Sequence, residues 1–271
     1  MATSSTESDG RFTSIFETFR SELDEHYDRR EKIVKASRDI TALSKKIIFS
    51  LQRTRDVNAP IPSRIMKENE PRFQQIQELF QSILPDISGL NAWRYQWQIS
   101  PGIQEFVEAV SFQHYLEHQT LISHDEVSAK LPAGVLLTEE DYLMGILDMT
   151  GELMRFAVTT LSTATAVDNN SQGGASSAEG GGTTPQILTL PPDKAGIVVD
   201  LRNLRSLLEL LTVPRRHGHF LMKDLGHKVE VMQTSVHKVE RAAYGIMVRG
   251  SERPSGWTPD LSSNMIDVEG Y

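Results

Sequence analysis

From Ser14 to Arg55 the chain contains neither proline nor glycine, and apolar residues recur along it at helical spacing. Ile15, Phe19, Leu23, Ile33, Ile40, Leu43, Ile47 and Leu51 fall on one broad face. That pattern predicts a single helix of about 40 residues, several times longer than the usual globular helix. A helix of that length cannot cover its own apolar face. It needs long partner helices, in a bundle or in an assembly.

The rest of the chain carries the same signature. A second helix is expected from Ser63 to Leu84, stopped by Pro85, and a third over 91–118 with a kink at Pro101. Ser123 with Glu126 and Thr138 with Asp141 have capping-box spacing and open two further helices, the first to about Lys130 and the second to about Leu161. A sixth helix follows Pro192 to about Thr212, and a seventh runs from Pro214 to Arg249. Its apolar face, Val229, Met232, Val236, Val239, Ala243 and Ile246, looks built for partner helices. No strand-like alternation is sustained. The expectation is an all-α domain of seven helices over residues 12–252, preceded by a disordered N-terminus (1–11) and followed by an irregular tail (253–271). Within it, 163–184 is rich in Gly, Ser, Thr and Asn and is expected to be a flexible loop, too polar to offset the entropy of ordering.

Composition excludes some chemistry. There are no cysteines, hence no disulfide framework and no thiolate ligand or nucleophile. No apolar run approaches the ~20 residues of a membrane span, and the acidic, Ser/Thr-rich start lacks a secretory layout. The net charge is −8, yet residues 29–55 carry +7, with nine Lys/Arg against Glu31 and Asp39. Such a stripe can hold a phosphate backbone on an otherwise acidic protein, or can simply be a solvated face.

Two helices carry carboxylates where a bundle prefers apolar residues. In Gly102–Tyr115, Glu105 and Glu108 are three apart and share a face among Ile103, Phe106, Val107, Val110 and Phe112. In Asp141–Arg155, the residues Asp141, Asp148, Glu152 and Arg155 form a thin polar stripe, flanked by Gly145 and Gly151, where a missing side chain lets a backbone or a substrate approach. Carboxylates gathered in an apolar setting need a proton or a cation. An all-oxygen cluster suits Mg²⁺, with Mn²⁺ as an alternative, and either ion can promote phosphodiester hydrolysis. Each motif alone is also compatible with ordinary solvent-facing charge. Arg94 is a candidate phosphate ligand, and Trp93, Tyr95 and Trp97 beside it are candidates for base stacking or, more naturally, for core or subunit interface. P-loop, nucleophile-elbow, zinc-protease and dinucleotide fingerprints are absent, and the histidines show no metal-ligand pairing.

Several blocks, in order along residues 12–252, resemble the translin family: Glu22-Leu-Asp, Lys35-Ala-Ser-Arg-Asp-Ile-Thr41, Gln104-Glu-Phe-Val-Glu-Ala-Val-Ser-Phe-Gln-His114, Asp141-Tyr-Leu-Met-Gly, Asp148-Met-Thr-Gly-Glu-Leu-Met-Arg155 and Val248-Arg-Gly-Ser-Glu252. The carboxylates at 105 and 108 resemble the factor X branch, because translin itself carries apolar or basic residues there. The resemblance implies a seven-helix, translin-like bundle. It implies a Mg²⁺-dependent endoribonuclease subunit, with Glu105, Glu108 and Asp148 as catalytic metal ligands and Glu152, nearby, as a further metal ligand. It also implies assembly with translin in a hollow hetero-oligomer that cleaves single-stranded or nicked RNA, namely passenger strands in RNA interference and transfer-RNA precursor fragments. Arg94 and Arg155 are then the expected RNA contacts, and DNA is kept as a second ligand. The expected location is the cytoplasm, with the nucleus as a second compartment and no membrane attachment. The alternative is a non-catalytic nucleic-acid-binding scaffold that stabilises translin.

Overall fold

The computed structural model describes residues 6–168, 192–211 and 221–249, with side chains at 12–161, 195–211 and 224–247. It is all-helical, with no strand among the described residues. The helices are α1 (Thr6–Leu51), α2 (Ser63–Ile83), α3 (Leu90–Arg94), α4 (Gln96–His118), α5 (His124–Ala129), α6 (Glu139–Asp168), α7 (Pro192–Glu209) and α8 (Leu221–Arg249), with a short 3-10 turn at Leu84–Asp86.

The eighth helix arises because the expected third one breaks at Tyr95 and not at Pro101. There the backbone leaves the helix (φ −108°, ψ 9°), and α4 runs on through Pro101. The cause is tertiary. Tyr95 is buried, and its hydroxyl hydrogen-bonds His26 Nδ1 of α1 at 2.7 Å, so the chain turns to keep that side chain inside. Of the glycine-rich segment, residues 163–168 continue α6 and the remainder lies outside the described residues, as do residues 1–5 and the tail from 250 onward. The first helix starts at Thr6, earlier than the apolar pattern marks.

Helix α4 lies between α1 and α6, α2 flanks α1, and α6 packs in turn on α7 and α8. Ile33, Ile40, Ile47 and Leu51 of α1 are fully buried. Each contributes about 1.5–3 kcal/mol by leaving water. Phe80, Phe106, Phe112 and Phe156 fill the centre, with Phe80 and Phe106 meeting edge to face at 6.0 Å. The apolar face of α8 points inward: Met232, Val236, Val239, Ala243 and Ile246 are buried within this chain. That corrects the expectation that this face awaits a partner. Among the described residues, a long exposed apolar face belongs to α1, which at 46 residues is about 70 Å long. Ahead of its contacts at His26 and Arg29 it exposes Phe12, Ile15, Phe16, Phe19 and Leu23, and Tyr27 is exposed beside those contacts.

One glycine fixes the distance between the two carboxylate helices. A Cβ on Gly145 would stand 2.7 Å from the Gln104 carbonyl oxygen and from Val107 Cβ, whereas one on Gly151 would meet nothing within 4 Å. Gly145→Ala must therefore push α6 off α4, at a cost of about 1–3 kcal/mol. Gly151→Ala should be neutral or stabilising by up to ~1 kcal/mol. Thermal melts of the two variants side by side check this, and a Gly145→Ala chain melting with the native one would contradict so close an approach.

A carboxylate-lined cleft as candidate active site

The close approach at Gly145 brings the i, i+3 pair of α4 opposite the polar stripe of α6. Glu105, Glu108, Asp148, Glu152 and Arg155 line one cleft of about 1030 Å³, closed by Lys45 and Phe49 of α1, by Gln52 just past its end, and by His227 and Lys228 of α8. Gly151 lies on its wall, and its open side keeps the cleft accessible.

The four carboxylates meet their charge in different ways. Glu108 is the deepest, 7% exposed. Burial first, and then the charges of Glu105, Asp148 and Glu152, push its carboxyl up to about 9, so near neutrality it holds a proton. Glu105 is also raised, by burial and by Asp148 and Glu152, against the pull of Lys45, whose Nζ lies 3.8 Å from Glu105 Oε2. Asp148 accepts a hydrogen bond from Lys228 Nζ. Glu152 accepts from Gln52 Nε2 at 2.9 Å and from Arg155 Nη1 at 2.5 Å. Gln52 also donates to the Glu152 carbonyl at 2.8 Å, which ties α1 to α6 at this point.

As they stand, no three His, Asp or Glu side chains among the described residues are grouped to hold a metal ion. The donor set nevertheless fits a hard divalent cation. Its carboxylates offer oxygen donors, Glu105 and Glu108 are held above their ordinary range first by burial and then by neighbouring carboxylate charge, and the cations now present are the side chains of Lys45 and Lys228. Seating an ion requires Glu108 to lose its proton and Lys228 to release Asp148.

Other expected residues lie elsewhere. Arg94 does not line the cleft; it is exposed on α3, with Nη1 3.2 Å from His26 Nε2. Asp141, 1% exposed, is a structural tie at the start of α6. It accepts from Gln96, Ser100 and Gln104 of α4 and from Thr138. Trp93 and Trp97 are not core: they are 70% and 61% exposed. Much of the basic stripe is taken up in ion pairs, Arg29 and Lys32 with Asp86 and Arg53 with Glu68, and Lys45 is its member in the cleft. Lys228, the partner of Asp148 from 80 residues away, had no local signal in the sequence.

Comparison with known proteins agrees with this architecture. The model of the translin family matches residues 28–250. Translin-associated protein X of Mus musculus is 31% identical over 281 residues, spanning 94% of this chain and 86% of that protein. The Schizosaccharomyces pombe homolog of translin-associated protein X is 31% identical over 241 residues, 88% of this chain and 89% of its own. Translin of Mus musculus is 26% identical over 158 residues, 55% and 69% of the two chains. Among solved structures, that of apo-NeC3PO superposes with a TM-score of 0.56 at 17% identity, covering 83% of this chain and 94% of that one. That of AfC3PO gives 0.52 at 18%, over 83% and 93%. At such identities the likeness concerns the fold. Taken with a family match that runs from α1 to the end of α8, these findings establish that the chain belongs to the translin family.

Proposed function

We propose that this chain is a Mg²⁺-dependent endoribonuclease subunit that acts on single-stranded or nicked RNA in partnership with translin. The observation that carries the reading is the gathering of Glu105, Glu108, Asp148 and Glu152 in one accessible cleft, with Glu108 buried and short of countercharge. A bound divalent cation would activate water and offset charge growing on the phosphate oxygens. Glu105, Glu108 and Asp148 would hold it. Glu152, fixed by Gln52 and Arg155, orients the rim, and Arg155 with its side chain 68% exposed is placed to grip a phosphate. Lys45, 66% exposed on the facing wall, offers a second phosphate contact. The resemblance of the Gln104–His114 and Asp148–Arg155 blocks to the factor X branch supports the same assignment, and the name of the relatives, translin-associated protein X, supports the partner.

A second reading is favoured by a specific observation. With Lys228 on Asp148, Arg155 on Glu152, Lys45 beside Glu105 and a proton on Glu108, the cluster is neutralised without any metal. A scaffold that binds nucleic acid and stabilises translin would need nothing more. End-labelled single-stranded RNA, incubated with the chain with and without translin, in Mg²⁺ and in chelator, separates the two. Mg²⁺-dependent fragments from the assembly support the nuclease. Tight binding with no fragments in either condition supports the scaffold.

A further inference from the structure

Beside the carboxylate cleft lies a second one of about 520 Å³, within the size range of small-molecule sites. It opens at the corner between α3 and α4. Tyr95 turns inward there to reach His26, and Trp93 and Trp97 on either side of it line the opening, largely exposed. Its floor holds Gln96, Ser100 and Gln104. Lys228 lines both clefts, so the two adjoin at the lysine that also holds Asp148.

We infer that this second cleft is a nucleobase subsite, in which an unpaired base of the RNA stacks on Trp93 and Trp97 while its own phosphate reaches Lys228 at the edge of the carboxylate cleft. The inference rests on the cleft's proposed role as the RNA-cleaving site. Two broad indoles, largely exposed, offer flat apolar surface on which a base can lie. Every base offers a π-face, so such a platform takes any sequence. The polar floor favours a base over an aliphatic partner. The Nε2 groups of Gln96 and Gln104 and the Ser100 hydroxyl all donate to the buried Asp141. Both glutamine Oε1 atoms are left to accept, and Gln96 keeps a second N–H to donate. Acceptors suit the exocyclic amino groups of adenine, cytosine and guanine. The one cation among the described residues of its lining, Lys228, is shared with the carboxylate cleft, and a phosphate joined to the seated base would meet it there. A nucleotide seated this way would present its phosphodiester to the carboxylates and not its sugar or base, which gives the subsite a positioning role.

The test uses the full chain assembled with translin, in chelator so that no strand is cut. Short single-stranded RNAs carry 2-aminopurine at successive positions, and its fluorescence and the RNA affinity are read for the native chain, Trp93→Leu, Trp97→Leu and Trp93→Phe. Leucine keeps apolar bulk but removes the π-face. Quenching at one labelled position should be lost in both leucine variants and kept in Trp93→Phe, with affinity weaker by about tenfold or more for leucine. Light scattering should show the same assembly throughout. Unchanged quenching and affinity would overturn the inference, and so would loss of assembly in the leucine variants, which would make the indoles subunit contacts. The readouts do not depend on cleavage. Trp-dependent stacking in a complex that never cuts would refute the nuclease reading alone, and cutting with Trp-independent binding would refute this inference alone.

Discussion

Glu108→Gln should raise the melting temperature in chelator, and the gain should be absent near the carboxylate's ordinary value of 4.5 and grow until the pH reaches about 9. The sign follows from where the proton sits. The folded chain keeps the Glu108 proton throughout that window, because burial and the neighbouring carboxylates oppose ionisation, and the unfolded chain gives it up near 4.5. Folding therefore takes up a proton, and native stability falls as pH rises through the window, by at most ~1.4 kcal/mol per pH unit. Glutamine has no proton to bind, so its curve lacks that slope. Magnesium should act in the opposite direction on the native chain alone. An ion that binds the ionised carboxylates stabilises the folded state by about 2.7 kcal/mol at a hundred times its Kd, which should flatten the native pH profile and leave Glu108→Gln nearly unmoved. Melts over pH, with and without Mg²⁺, check all of this. A native chain as stable at pH 9 as at pH 5 in chelator would mean that Glu108 is not held uncharged.

Phe16→Asp combined with Phe19→Asp should leave the fold of this chain intact and disrupt its assembly with translin. Both rings stand on the first half of α1, 68% and 53% exposed, and meet each other edge to face at 6.5 Å. Surface changes of this kind alter stability by no more than about 0.5 kcal/mol. In an assembly the same rings would be aromatic anchors, and burying two carboxylates in their place should weaken association by about a hundredfold or more. Light scattering of the mixed subunits measures the loss, with circular dichroism melts as the control on folding. Assembly at native strength would show that the stripe from Phe12 to Tyr27 is not where the partner docks.

Local rules made much of the fold legible. The Ser123 hydroxyl and the Glu126 carboxylate close the capping box that their spacing implies. Asp141 N donates to Thr138 Oγ1 at 3.1 Å at the start of α6. The i, i+3 and i, i+4 spacings put Glu105, Glu108, Asp148 and Glu152 on faces that meet in one cleft. What the sequence hid depends on partners far along the chain. The α3–α4 break follows Tyr95 and its bond to His26, 69 residues away, and proline at 101 gave a misleading local cue. The apolar face of α8 reads like a docking surface until α6 is seen to cover it. Charge balance was the least legible. The carboxylates call for countercharge, and the fold supplies it through Lys228, Lys45 and Arg155 from three different helices, together with a proton on Glu108. No spacing rule reaches Lys228. Arg94 shows the converse: its position upstream of the motif suggested a role at the site, but the corner at Tyr95 directs it to His26.

The central claim is that the cleft of this chain, and not a surface of its partner, carries the cut. The most direct measurement is single-turnover cleavage of labelled single-stranded RNA in Mg²⁺ by assemblies of wild-type translin with either the native chain or its Asp148→Asn variant. RNA affinity and assembly size are measured on the same samples. Asparagine keeps the shape of Asp148 but removes the charge that now meets Lys228. Cleavage should fall by about a hundredfold or more, beyond the usual cost of losing a mere outer-shell partner, with affinity and assembly within about twofold of native. Undiminished cleavage by the Asp148→Asn assembly would place the chemistry outside this cleft.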